Sequence, residues 1–247
     1  MRKLLTTHLI YTLSAFLFLI FIPLQLHAQM FSIGEEEPER NRNVGFYSSL
    51  GVSWEIADFE YTGSGAPLNE RVDFSSSILR IRFETPGLNL GLGFGGSLTG
   101  MDETSYVNVT GRIFNDLPLI RRESFILTLP IQITTDLKSA QSNNTNSEFQ
   151  QSSLVIGSGL GTAMKLSEDI EFTLRSTPNF GFSFSQGNLF GGNLFRFDGR
   201  AQLFFNELIG NHSLSIGYHF DYRDYEIEGD LNDYSFLSHS FTIGYAF

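Results

Sequence analysis

The sequence contains no cysteine, which excludes disulfide bonds, thiolate metal sites and a lipid-modified N-terminal cysteine. Positive charge is also scarce, because 16 Lys and Arg residues stand against 27 Asp and Glu residues and the formal net charge is −11. Proteins that bind nucleic acid depend on basic surfaces, so this balance argues against a nucleic-acid partner. The sequence also gives no reason to expect a cofactor or a resident metal ion.

Long apolar runs are confined to the N-terminus. Arg2 and Lys3 precede an apolar stretch at residues 9–22, and the small residue Ala28 follows at the position before a cleavage point. This order is typical of a secretory signal peptide, which we assign to residues 1–28. No later run is long enough to predict a transmembrane helix.

The predicted mature chain has two parts. Residues 29–43 are polar and acidic and include four glutamates between positions 35 and 39. A charge run of this kind is typical of a solvated segment, so we expect a flexible acidic tail in the periplasm. Residues 44–247 are expected to form one folded domain.

Phenylalanine and glycine are abundant, with 25 and 24 residues, and they favour strands and tight turns over helices. From Val44 onward, apolar and polar residues alternate with a period of two, which predicts strands with one apolar and one polar face. Residues 88–99 show the pattern most clearly, because five large apolar side chains share one face and only glycine and polar residues share the other.

The alternation predicts about ten strands. They fall near residues 44–56, 72–84, 88–99, 105–114, 124–136, 149–164, 170–184, 194–205, 212–222 and 235–247. The connections alternate between longer polar links and shorter ones, as they do in barrels that cross an outer membrane. We therefore predict an all-β fold: a closed, antiparallel, up-and-down transmembrane β-barrel of about ten strands, with eight or twelve as alternatives.

Eleven charged residues in these strands fall opposite the apolar face of their own strand. A transmembrane barrel would turn that charged face toward a narrow polar lumen, where long arginines alternate with small residues. The predicted lumen residues are Glu55, Arg80, Arg82, Glu84, Arg112, Glu171, Arg175, Arg196, Asp198, Arg200 and Asp221.

The final strand carries the clearest resemblance to a known family. Phe241, Ile243, Tyr245 and Phe247 alternate with small or polar residues, and the strand ends on an aromatic residue. In this respect the chain resembles the small outer-membrane β-barrel proteins, porin-like or OmpA-like, without matching one member. The resemblance implies a Gram-negative bacterium, export through the Sec route, insertion into outer-membrane lipid and recognition of these four residues by the barrel-assembly machinery.

Three local expectations follow from turn and proline chemistry. A two-residue turn at Pro86-Gly87 would set Arg82 opposite Gly91 and Arg80 opposite Gly93, which keeps both faces in phase. Pro130 and Pro178 each remove an amide donor from a predicted strand, so we expect a bulge or a strand end at both.

His219 and Asp221 form the most enzyme-like pair, two residues apart on the inward face near the outer end of the ninth strand. A turn at residues 206–211 would place His219 opposite Asp198 and Asp221 opposite Arg196, a possible base and orienting carboxylate. Interior ion pairing is the competing interpretation. The strand number is similar to that of the omptin proteases, but their motifs are not recognisable, so no catalytic role is transferred.

Three functions therefore stay open at this stage. The first is an outer-membrane barrel with a structural or interaction role, or with restricted permeability to small solutes. The second is an outer-membrane enzyme with a site near His219 and Asp221, and the third is a soluble, lipocalin-like periplasmic binder. Acidic residues at 221–233 raise the further possibility of Ca²⁺ binding, although they lack the spacing of an EF-hand. The sequence identifies no external ligand.

Overall fold

The computed structural model describes residues 47–65, 72–144, 147–185, 191–227 and 230–247. The predicted signal peptide at 1–28, the acidic tail at 29–43 and the first residues of the predicted barrel lie outside these ranges. Among the described residues, no helix is both long enough and apolar enough to cross a membrane.

The described residues fold almost entirely into antiparallel strands. Their bounds are β1 Ser49–Tyr61, β2 Phe74–Thr85, β3 Leu88–Gly95, β4 Thr104–Arg122, β5 Phe125–Ser142, β6 Glu148–Ser158, β7 Leu160–Lys165, β8 Ile170–Ser185, β9 Gly191–Ile209, β10 His212–Ile227 and β11 Tyr234–Ala246. A single 3-10 turn at Ser97–Thr99 follows β3.

The sheet closes on itself into a barrel. β1 pairs with both β2 and β11, and β4 pairs with both β3 and β5. Each strand of the barrel therefore has a hydrogen-bonded neighbour on both sides. β6 and β7 lie end to end between β5 and β8 and form one barrel strand interrupted at Gly159. The structure is therefore a closed ten-stranded up-and-down barrel, which confirms the predicted fold class.

The β2–β3 hairpin has the predicted register. Arg82 pairs with Gly91 and Arg80 with Gly93, on either side of the two-residue turn at Pro86-Gly87. Gly87 has a φ of 94°, a conformation that residues with a side chain rarely adopt. The turn therefore depends on glycine at this position.

The two prolines do not end or distort their own strands, so that expectation is wrong. Pro130 pairs with Asp116 inside β5, and Pro178 pairs with Phe197 inside β8. The interruption falls instead in the strand between them, at Gly159, whose amide donates to the Pro130 carbonyl at 3.3 Å. The irregularity therefore falls in the strand formed by β6 and β7, which lies next to both prolines and faces their missing amide donors.

Substitution of Gly159 should test this account. A Cβ at that position would lie 1.9 Å from the carbonyl oxygen of Ser176, so Gly159→Ala must push β7 away from β8. We expect the free energy of unfolding to fall by about 1–3 kcal/mol, the usual cost of overpacking, in a urea titration of the folded barrel. Gly96→Ala is the matched control, because its Cβ would meet nothing within 4 Å; an equal loss in both variants would contradict the explanation.

The two ends of the barrel differ in their connections. One end, here called the turn end, carries the short links at 86–87, 123–124, 166–169 and 210–211. The opposite loop end carries the links at 62–73, 96–103, 143–147, 186–190 and 228–233. Several predicted links were too long: most of 115–123, 137–148 and 206–211 and half of 223–234 is strand. The strands continue to pair through these segments although their sequences resemble loops.

The outer surface carries a continuous apolar band, here called the outer belt. Leu90 is 47% exposed and Ile243 is 66% exposed, as large apolar side chains are when they face away from the barrel. Among the residues that the structure describes, no Asp, Glu, Lys or Arg side chain interrupts the belt, although His239 lies on the outer face of β11 opposite Ile56. Its members are Leu50, Val52, Trp54, Ile56, Leu79, Ile81, Phe83, Leu90, Leu92, Phe94, Val107, Val109, Ile113, Ile131, Ile133, Leu137, Leu154, Ile156, Leu174, Phe180, Phe182, Ile216, Tyr218, Phe241, Ile243 and Tyr245.

Polarity inverts toward the loop end. On β1, the outward residues change from apolar ones to Asp58 and Glu60, while Phe59 and Tyr61 point inward and are buried. The inward aromatic residues of several strands meet there in a group that we call the aromatic cluster. It consists of Phe59, Phe74, Tyr106, Phe149, Tyr225, Tyr234 and Phe236. The loop end is therefore built like a water-soluble protein, with an apolar core and a charged outside.

Candidate functional site

The barrel interior contains all eleven residues that were predicted to face the lumen. Arg82, Arg175 and Arg200 keep partial exposure, and the rest are buried. Their side chains contact one another across the barrel, as the following contacts show. Seven of the eleven belong to one connected set of ion pairs and hydrogen bonds, whereas Arg200 pairs with Glu84, Arg175 pairs with Asp116, and Glu171 accepts from Tyr47.

One arm of this network begins on β1. Arg80 donates to both carboxylate oxygens of Glu55, with its Nε 2.7 Å from Oε2 and its Nη2 3.3 Å from Oε1. Its remaining Nη1 donates to the Asn108 amide oxygen at 2.7 Å, and Asn108 donates in turn to Asp136 at 2.7 Å. This arm links β1 through β2 and β4 to β5.

Arg223 carries the network from β5 to the opposite wall. Its Nη1 donates to Asp136 at 2.7 Å, while its Nη2 donates to Asp221 at 2.8 Å. Asp221 also accepts from Arg196 Nη2 at 2.8 Å. Because Arg223 is only 1% exposed and its two partners stand on different sides of the lumen, a guanidinium group bridges the barrel at this level.

Asp198 is a second junction of the network. It accepts from Arg112 on β4, from Arg196 at 3.4 Å and from His219 at 2.9 Å. Arg112 and Asp198 stand on strands that are not neighbours, so this pair also crosses the lumen. Two separate bridges therefore fill the middle of the barrel.

His219 lies inside this network and not at the rim. β10 continues to Ile227, so His219 occupies the middle of its strand, and it is 6% exposed. Arg82 Nη2 lies 3.0 Å from His219 Nδ1; since arginine has only donors, Nδ1 accepts and Nε2 carries the proton that bonds Asp198. Both ring nitrogens are engaged, which leaves none for a substrate.

The predicted pairing around His219 was wrong by two residues. His219 stands opposite Arg200, and Asp221 opposite Asp198, whereas a turn at 206–211 would have set His219 opposite Asp198. The register shifts between His212 and Leu214, and the facing end of β9 includes Glu207 with a φ of 56°. Asp221 contacts Arg196 and Arg223 through short bonds, so the His219 and Asp221 pair does not form a base with its orienting carboxylate.

Lys138 lies at the boundary between the charged network and the aromatic cluster. Its ammonium nitrogen is 3.6 Å from the centre of the Phe236 ring and 5.2 Å from that of Tyr225, but it has no hydrogen-bond partner among the described residues. A cation facing aromatic rings is stabilised by their electron-rich faces. Lys138 and the aromatic cluster together close the interior toward the loop end.

Comparisons with known proteins give likeness in structure alone. No family model and no curated protein matches the sequence. Solved structures with a related arrangement include the outer membrane protease OmpT from Escherichia coli, at 8% identity, 84% of this chain, 99% of that chain and a TM-score of 0.41. Ail of Yersinia pestis is 12% identical, with 82% of this chain and 99% of that chain covered and a TM-score of 0.25. The beta domain of the Bordetella autotransporter BrkA is 10% identical, with 82% of this chain and 99% of that chain covered and a TM-score of 0.34.

These similarities are too distant to transfer a function or a residue role. The closed ten-stranded barrel, its uncharged apolar belt and its charged interior nevertheless agree with the family suggested by the sequence. The chain has the fold of an outer-membrane β-barrel. No specific member of that class is indicated.

This barrel contains several interior charges that the sequence analysis missed. Asp136, Lys138 and Arg223 continue the inward parity of their strands, but predicted strand ends excluded Lys138 and Arg223, and Asp136 was the last residue of its strand. Asp116 lay in a predicted link and is a strand residue paired with Arg175. Extending the period-two pattern by a few residues would have found Asp116, Lys138 and Arg223, and Asp136 already lay within it.

The described acidic residues between 221 and 233 do not converge on one point, and Glu228 lies outside the described residues. Asp221 points into the barrel, whereas Asp224 and Glu226 follow the outward parity of β10, and Asp233 accepts from the Ile227 amide at 2.7 Å. Among the described residues, no group of three or more His, Cys, Asp or Glu side chains has the arrangement of a metal site.

A cavity of about 310 Å³ opens below the network at the turn end. Arg112, Arg175 and Arg200 line it together with the carboxylates Glu84 and Asp116 and with apolar residues such as Phe114 and Phe204. Tyr47, which precedes β1, stacks on Phe204 with ring centres 4.3 Å apart and donates to Glu171 at 3.0 Å. The turn end of the interior therefore contains a sizeable cavity, whereas the cavity among the network residues is only about 30 Å³.

Proposed function

We propose that the protein is an integral outer-membrane β-barrel whose narrow, polar lumen is closed by its own side chains, and that it has a structural or interaction role. One observation carries this proposal: the same barrel has an apolar outer belt and ion pairs that cross its interior. An open pore would need an uninterrupted polar path, and an enzyme would need an accessible reactive group.

The outer belt supports contact with lipid. Exposed apolar patches on water-soluble monomers rarely exceed a few hundred Å², whereas the belt continues around the barrel. A closed barrel also satisfies its backbone hydrogen bonds internally, as the hydrocarbon core of a membrane requires. A lipocalin-like binder would need the reverse arrangement, with apolar rows inside and charged rows in water.

The two ends support one orientation. In outer-membrane barrels the short turns face the periplasm and the longer loops face outward. We accordingly place the turn end in the periplasm and the loop end, with Asp58 and Glu60 on its surface, outside the membrane. The external ligand or partner of the loops stays unidentified.

The interior supports closure over conduction. Barrels of about ten strands have a lumen that side chains can fill, whereas wide water-filled channels need about 16 strands. Here Arg223 reaches Asp136 and Asp221 on opposite walls, and the aromatic cluster covers the network toward the loop end. A solute would have to break several ion pairs to cross.

Electrical recording after reconstitution tests the closed lumen. Purified protein in a planar bilayer should show no steady current, under conditions in which a general porin gives stable single channels. Steady small conductance would replace closure by restricted permeability. Extraction tests the location independently: the protein should leave cell envelopes only with detergent, and release by salt or buffer alone would overturn the membrane assignment.

The assembly pattern remains a prediction within this proposal. Phe241, Ile243 and Tyr245 form an exposed outer row on β11, and the Phe247 amide donates to the Ser48 carbonyl at 2.8 Å. An exposed aromatic row at the end of the last strand is accessible to the barrel-assembly machinery before the sheet closes. This accessibility supports the proposed route into the membrane.

A further inference from the structure

We propose that the turn-end cavity binds a small organic carboxylate, which is held between the guanidinium groups of Arg175 and Arg200. This inference concerns the hollow part of the interior and does not depend on conduction or on the outer loops. The argument starts from the position of the two arginines on neighbouring strands.

Arg175 on β8 and Arg200 on β9 are directly opposite each other in the strand register, and both line the cavity. Side chains at opposed positions on one face lie close together, and like charges placed in this way destabilise a sheet. The pair therefore needs negative charge nearby.

The carboxylates that answer this need come from distant strands, and each serves only one arginine. Asp116 on β4 pairs with Arg175, and Glu84 on β2 pairs with Arg200. Each pair joins a single guanidinium nitrogen to a single carboxylate oxygen. Among the described residues, no carboxylate bridges Arg175 and Arg200, so other donors of both guanidinium groups remain for a ligand.

The same barrel shows how such a pair is bridged. Arg196 and Arg223 are also directly opposite each other, on β9 and β10. Asp221 lies between them and accepts from each guanidinium at 2.8 Å. A ligand carboxylate between Arg175 and Arg200 would reproduce this arrangement four residues closer to the turn end along β9.

Accessibility distinguishes the two arginine pairs. The Arg175 and Arg200 side chains are 19% and 17% exposed, whereas those of Arg196 and Arg223 are 4% and 1% exposed. Arg175 and Arg200 can therefore contact a solute that enters from the turn end. Arg196 and Arg223 are buried by the surrounding protein.

The cavity walls indicate the rest of the ligand. Phe114, Ile126 and Phe204 provide apolar surface, and Thr128 and Thr173 provide polar atoms. Arg112 also lines the cavity, and its buried Nε has no hydrogen-bond partner in the part of the chain that the structure describes. A volume of about 310 Å³ is at the lower end of the range for small-molecule sites, so the fitting class is a carboxylate with one or two rings or a short aliphatic body.

Equilibrium dialysis with three probes of the same shape tests the proposal. The purified barrel in lipid nanodiscs would be dialysed against 2-naphthoate, neutral 2-naphthamide and cationic 2-naphthylmethylammonium, with empty nanodiscs as the blank for lipid uptake. We expect saturable binding of 2-naphthoate at one site per barrel and at least tenfold weaker binding of the other two. Equal binding of the neutral or cationic probe, or no saturable binding of 2-naphthoate, would overturn the proposal.

Variants locate the site. Arg175→Gln and Arg200→Gln should each weaken 2-naphthoate binding about tenfold or more, a loss of about 1.4 kcal/mol, because each removes a charge-assisted hydrogen bond to the carboxylate. Arg121→Gln is the matched control, because Arg121 is exposed on the β4–β5 hairpin and does not line the cavity. Unchanged binding in folded Arg175→Gln would overturn the proposal, and the three-probe comparison on the unaltered chain decides it if both variants fail to fold. Failure here leaves the closed-lumen proposal untouched, because conductance is measured separately.

Discussion

Arg223→Met should lower the free energy of unfolding of the barrel by about 3–5 kcal/mol, the loss usually seen when one partner of a buried ion pair is removed. Methionine fills most of the volume but removes the guanidinium group that joins Asp136 to Asp221. Asp136 keeps hydrogen bonds from Asn108 and Thr110, and Asp221 keeps Arg196, but both carboxylates are buried and lose a compensating charge. The loss should therefore exceed that of any surface substitution.

A urea titration of protein folded in lipid vesicles measures this effect, with Arg121→Met as the control for losing an exposed arginine. Asp136→Asn adds the information that a single variant cannot give. If Arg223 stabilises the barrel through Asp136, the double variant should lose less than the two single losses combined, by about 0.5–3 kcal/mol of coupling. Additive losses, or an Arg223→Met barrel as stable as the original, would show that the bridge across the lumen contributes little.

The strand pattern was predictable because one physical rule operates along most of the barrel. Where the outward residues form the apolar belt and the inward residues form the charged interior, alternate residues must differ in polarity. The β2–β3 hairpin follows this rule residue by residue. The predicted interior charges share that origin, since Arg80, Arg82 and Glu84 have the parity opposite to Leu79, Ile81 and Phe83.

Strand ends were less predictable because the rule reverses near the loop end. On β1 the apolar positions change from the outward Ile56 to the inward Phe59, so a reading that expects one apolar face ends the strand at the change. The structure continues to Tyr61. Arg223 was missed for a related reason, because the acidic residues that follow it resemble a loop in composition while the pairing of β10 continues to Ile227.

Contacts across the lumen could not be derived from a strand pattern at all. Parity places Arg112 and Asp198 on the inner face, but their ion pair depends on the diameter and stagger of the closed barrel. A small error in register changes the predicted neighbour of a residue. Because the register shifts before Leu214, His219 stands opposite Arg200 and not opposite Asp198. Its bond to Asp198 arises diagonally, through the side chains.

The largest effect on membrane insertion should come from Val52→Arg. Val52 is 52% exposed in the middle of the belt row of β1 and lies between Ile243 and Ile81 of the adjacent strands. An arginine near the middle of a bilayer costs about 2–4 kcal/mol on the lipid-facing surface of a barrel, so the folded fraction in vesicles at intermediate urea should fall sharply.

Glu60→Arg is the matched control for this prediction, because Glu60 is on the same face of the same strand but lies beyond the belt, where the outward residues are already charged. Its folded fraction should stay close to that of the original chain. A similar loss for both variants would mean that added positive charge, and not its depth in lipid, causes the defect. Similar tolerance of both would mean that Val52 faces water, which would contradict the membrane assignment at its centre, since the belt is what separates this barrel from a soluble one.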